Sequence, residues 1–180
     1  DLDHEFYRLF SKTRAATKLQ KFKYTSINFD ISNRAFRQLS RRESFKNLKS
    51  LTLKRIQSNR KTLLEIFTNR NFKNLKSLKL WFDEPMNFDI PSYSRFNLEK
   101  LSLENWNPIE LTKSFKKLFI RLHWDNLKAL HFVHCKLGIE GARILSENRN
   151  FKNLREINLS YCALEDKGFS YIVTSKYFPR

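Results

Sequence analysis

Apolar residues recur along this chain in the spacing L-x-x-L-x-L. They read Leu19/Phe22/Tyr24, Leu48/Leu51/Leu53, Leu75/Leu78/Leu80, Leu98/Leu101/Leu103, Leu127/Leu130/Phe132 and Leu154/Ile157/Leu159. The last two members of each set alternate with polar residues, which is the period of a strand buried on one face. After a turn, apolar residues fall three or four apart in ISNRAFRQLSRRESF (31–45), RKTLLEIFTNRNF (60–72), IELTKSFKKLFIRL (109–122) and IEGARILSENRNF (139–151). That spacing predicts amphipathic helices. The chain therefore reads as α/β, one strand and one helix to a unit.

The first leucines of successive units lie 29, 27, 23, 29 and 27 residues apart. From the second unit on, an asparagine precedes each of them: Asn47, Asn74, Asn97, Asn126 and Asn153. An aromatic stands two residues before the asparagine at Phe45, Phe72, Trp124 and Phe151. This phasing is why FKNLKSL occurs at both 45–51 and 72–78, with FKNLREI at 151–157. A single strand–helix unit cannot bury its apolar face, whereas stacked units share a continuous core. The aromatics are expected to pack under the helix ends. The amides are expected to bond backbone groups of the helix-to-strand loops, with simple turn formation as the alternative. The third unit is short and carries Pro85 and Pro91, so residues 84–96 are expected to be extended or a brief 3₁₀ turn.

LKALHFVHCKLGIEGARIL (127–145) and LREINLSYCALEDKGFSYI (154–172) resemble the ribonuclease-inhibitor-like, cysteine-containing leucine-rich repeats. The matching positions are Cys135, Leu137, Gly141 and Leu145 in one unit, and Cys162, Leu164, Gly168 and Ile172 in the next. The resemblance is closest at 127–177 and looser before. The third unit departs from it, with Asp83 at the cysteine position by count. The resemblance implies a curved solenoid, with a parallel inner sheet of about six strands and outer helices. Its concave face is the usual binding surface. Residues 1–180 read as one such domain with units opening near Leu19, Leu48, Leu75, Leu98, Leu127 and Leu154. Residues 1–18 read as the helix of a preceding unit or a cap. FPR at 178–180 falls where another unit would open, so the chain is expected to be part of a longer protein.

Lys+Arg 35 against Asp+Glu 18 gives a net charge of +17. Such a field attracts nucleic acid, anionic membrane or acidic protein. Compositional drift toward lysine is the alternative source, and clustering on one face separates the two. No apolar run is long enough for a transmembrane helix and no signal peptide is visible. Cys135 and Cys162 occupy one position in adjacent units and read as buried reduced thiols, which suits an intracellular, reducing compartment, cytoplasm or nucleus, with an organelle left open.

Solvent-facing strand positions and their flanks supply the candidate partner-binding set: Lys23, Lys49, Lys54, Arg55, Lys76, Lys79, Trp81, Phe82, His131, Arg155 and Tyr161. Lysines interleaved with aromatics serve an acidic protein partner with aromatic anchors. The same set serves a nucleic-acid strand, RNA before DNA, that stacks its bases. The first is the primary reading: a non-enzymatic scaffold that binds a protein. HFVHC (131–135) invites a metal reading, but alternation sends His131 outward and Cys135 inward, so no metal site is expected. No catalytic motif, cofactor fingerprint or small-molecule substrate is expected either.

Overall fold

The computed structural model describes residues 18–25, 40, 45–56, 60–83, 97–107 and 124–178. The expectations for 1–17 and 84–96, and the predicted helix at 109–122, lie outside the described residues. So does nearly all of 31–45.

Six strands form one parallel sheet: β1 (Lys21–Thr25), β2 (Ser50–Ile56), β3 (Ser77–Phe82), β4 (Lys100–Glu104), β5 (Ala129–Val133) and β6 (Glu156–Asn158). Their spatial order is their order in the sequence. The leucine spacing sets the register: Phe22, Leu51, Leu78, Leu101, Leu130 and Ile157 stand side by side, as do Tyr24, Leu53, Leu80, Leu103 and Phe132. From β2 to β5 these residues are buried, while β1 and β6 at the sheet edges leave theirs partly covered.

Three α-helices lie among the described residues: α1 (Arg60–Thr68), α2 (Gly138–Ser146) and α3 (Glu165–Val173). In α1, Leu63, Ile66 and Phe67 fall on one face and are buried. Asn69 then stops the helix, its Oδ1 accepting from the Asn71 N–H at 2.9 Å to open a 3₁₀ turn, Arg70–Phe72. In α2, Arg143 bonds Glu140 and Glu147 on the outer side while Ala142 and Leu145 face inward. Helix α3 packs on α2 through Gly168, where a Cβ would come within 3.3 Å of the Ala142 Cβ.

The aromatics two residues before Asn47, Asn74, Asn126 and Asn153 are buried under the sheet. Phe45 and Phe72 have ring centroids 5.7 Å apart, and Phe22 lies 5.3 Å from Phe45. Trp124 and Phe151 are buried at the same step, and Phe178 packs on Phe151 at 6.1 Å. Each fully buried ring is worth about 1.5–3 kcal/mol over an exposed one. The asparagines link neighbouring units: the Asn74 amide donates to Lys46 O at 2.7 Å and the Asn153 amide to Asp125 O at 2.5 Å. Asn126 instead donates to the Asn97 side chain, at 2.5 Å.

Candidate functional site

One side of the sheet is buried against the core and the other is open. Three lines of side chains cross the open side, each generated by the strand register. At the entry ends of the strands, a backbone ladder joins Gln20, Lys49, Lys76, Glu99, Lys128 and Arg155. Each N–H donates to the carbonyl of the residue before it in this series, at 2.7–2.8 Å. Along the middle of the sheet run Lys23, Thr52, Lys79, Ser102, His131 and Asn158. One row further on lie Thr25, Lys54, Trp81, Glu104 and Val133.

In that last row the Lys54 ammonium sits over the Trp81 ring, 5.5 Å from its centroid. Trp81 is 36% exposed, whereas Trp106 and Trp124 are buried in the core. The cation–π contact holds a large apolar surface upright in water without covering it.

Among the described residues, Glu99, Glu104 and Glu156 on the open side are all engaged. Glu99 stands between Lys76 (3.7 Å) and Lys128 (2.8 Å). The hydrogen bond and charge of Lys128 hold its carboxyl below the ordinary carboxylate range, with Lys76 adding to the effect. Glu104 pairs with Lys79, and Glu156 with His131 (2.6 Å) and Lys100 (3.8 Å). By contrast, Lys18, Lys21, Lys23 and Lys49 have no carboxylate partner among the described residues, and Lys54 has only Trp81. Lys18 and Lys49 line a hollow of about 700 Å³ at the entry edge, together with Gln20, Asn47, Asn74, Lys76 and Glu99.

At the exit edge the backbone turns left-handed at one equivalent step of four units: Arg55 (φ 55°), Asn105 (60°), His134 (54°) and Tyr161 (58°). That conformation is strained for residues with a Cβ. Hydrogen bonds to the next strand compensate, from Asn105 N–H to Val133 O (2.9 Å) and from His134 N–H to Ser160 O (3.0 Å). The turn also aims these side chains away from the sheet. The rings of His134 and Tyr161 lie parallel at 4.3 Å, and Tyr161 is 76% exposed. Arg55 reaches Asp83 at 3.2 Å.

Ten of the eleven candidate residues lie on these three lines or on the exit edge. Phe82 does not, and its assignment to the open side is corrected: it is 2% exposed and belongs to the core. The third unit lacks the left-handed residue, so Phe82 takes the place that Trp106, Cys135 and Cys162 fill elsewhere. Asp83, which the count along the chain put at the cysteine position, is exposed. Asn105 repairs the missing contact by donating its side-chain amide to Phe82 O at 3.1 Å.

Sequence reasoning missed the hollow, because Lys18, Asn47 and Asn74 precede their strands and meet only through the stacking of units. It also missed the neutralisation of the later strands. The spacing of Glu99 and Lys128, equivalent positions in adjacent units, carried that signal.

Cys135 and Cys162 are buried, and the neighbouring Cys162 thiol, with burial, pushes the Cys135 thiol up. The Cys135 thiol donates to Leu103 O (3.4 Å) and the Cys162 thiol to Phe132 O (3.2 Å). His131 and Cys135 lie on opposite sides of the strand line, and the described residues hold no cluster of three metal-ligating side chains. Ser102 is the register partner of His131, which bonds Glu156. Its buried hydroxyl has no hydrogen-bond partner among the described residues.

The chain matches no protein-family model, no curated protein and no solved structure. None of the helices among the described residues is long and apolar enough to cross a membrane.

Proposed function

We propose that the six units form a leucine-rich repeat solenoid, and that it acts as a non-enzymatic scaffold whose open, concave face binds a protein partner. The observation that carries this reading is Trp81, held exposed beneath the Lys54 ammonium amid a field of lysines. An aromatic anchor beside cations is the composition of an interface hot spot. Tyr161, stacked on His134 at the exit edge, offers a second anchor. A reducing intracellular compartment suits the two thiols packed as small apolar groups.

The test is recovery of partner by the wild-type chain compared with Trp81→Ala and Tyr161→Ala. Loss with either variant, while both remain folded, supports the reading; full recovery by both overturns it.

The second reading is an RNA-associated protein that uses the same face, favoured by the +17 charge. The core position of Phe82 removes one of its two stacking aromatics, and Glu99, Glu104 and Glu156 repel phosphates along the later strands. RNA binding that falls steeply with salt and is abolished by changing Lys54, Arg55 and Lys79 to Glu would favour it.

A further inference from the structure

The positive charge of the open side is unevenly available. On β1–β3 and their entry edge, Lys18, Lys21, Lys23, Lys49 and Lys54 have no carboxylate partner among the described residues. On β4–β6 only Arg155 is in that position, since Lys100, Lys128 and His131 each hold a glutamate. Residues in register on adjacent parallel strands stand about 4.8 Å apart. Lys49 and Lys76, neighbours on the entry ladder, therefore repel one another, and Glu99 relieves only Lys76. A bound anion would remove that repulsion, and the hollow beside Lys18 and Lys49 is open to receive one.

We infer that the partner docks through an acidic segment of polypeptide, whose carboxylates seat in this hollow and along the lysines of β1 and β2, leaving the neutralised half of the sheet uncovered. The inference rests on the protein-partner reading and adds the partner's chemistry and its place on the face. Carboxylates fit better than a phosphate chain for two reasons. The run of free lysines ends after two strands, where Glu99 and Glu104 pair with those of β3, and Trp81, the one exposed ring beside it among the described residues, cannot stack a run of bases. Charge arranged in this way sets orientation and encounter rate more than total affinity.

A fluorescein-labelled octaglutamate peptide is the probe, followed by anisotropy with the full chain and two double variants of equal net charge. Lys18→Glu with Lys49→Glu alters the hollow; Lys152→Glu with Arg155→Glu alters the far end. Both pairs are on the surface, so folding is checked by circular dichroism alone. The expected result is at least a tenfold loss of affinity for the first variant and less than a twofold change for the second. Equal losses would mean attraction by net charge only and overturn the localisation, as would no binding at low salt. An oligouridylate of eight nucleotides that binds more tightly than the peptide, with the same dependence on Lys18 and Lys49, would assign the hollow to nucleic acid and overturn the inference. Partner capture that still depends on Trp81 while the two double variants behave alike sinks this inference and leaves the reading beneath it standing.

Discussion

Phe82 stands in register with Ile56 across β2 and β3, although Lys54 and Trp81, the next pair along, are also in register. One residue, Arg55, is therefore passed over, and the third unit closes its strand a residue early. That omission turns Phe82 into the core beside Trp81, which stays exposed on the open side.

Phe82→Ala is expected to destabilise the protein by about 3–5 kcal/mol, as large cavities in aromatic cores do. Trp81→Ala should cost under about 1 kcal/mol, the worth of an exposed cation–π contact. Urea denaturation of the two variants measures the contrast. Similar small losses for both would return Phe82 to the surface. The adjacent aromatics are indistinguishable by composition, and only the missing left-handed residue separates them.

Gly168 marks the closest approach of α2 and α3. A Cβ there would lie 3.2 Å from the Leu164 Cβ and 3.3 Å from the Ala142 Cβ, in a helix pair that cannot separate without exposing its core. Gly168→Leu is expected to lower stability by about 1–3 kcal/mol through overpacking. Thermal unfolding should show a lower midpoint, and an unchanged one would mean that α3 can move away freely.

Glu99 titrates below the ordinary carboxylate range because Lys128 bonds its charged form. A depressed carboxylate pKa adds stability above the unfolded pKa, and that stability disappears as pH falls through the folded value. NMR titration should place Glu99 below the ordinary carboxylate range, and Lys128→Met should move it upward. Added salt should shrink the shift, since both groups are open to solvent. A midpoint unaffected by Lys128→Met would mean that the ion pair does not persist in solution.

The thiols of Cys135 and Cys162 should resist a water-soluble disulfide reagent in the folded protein and both react after denaturation. The neighbouring Cys162 thiol and burial hold Cys135 in its neutral form. A thiol pKa raised by folding contributes stability below its unfolded value of about 8.5, which is lost as pH climbs beyond it. Rapid reaction of one thiol in the native protein at neutral pH would contradict this packing.

Six parallel strands in sequential order were legible in the leucine spacing, because only one phase buries Leu51, Leu78, Leu101 and Leu130 together. The buried aromatics Phe45, Phe72, Trp124 and Phe151 and the backbone bonds of Asn74 and Asn153 were equally legible, since stacking repeats their environment in those units. The sequence alone also determined the excess of positive charge and most of the residues on the open side. Tertiary structure alone decided which of those charges are available. Glu99 and Glu104 neutralise lysines one unit away and Glu156 neutralises one two units away, and that pairing depends on side chains meeting across strands. It likewise decided the fate of Phe82, because one residue more or less in a turn reverses the side to which a strand residue points.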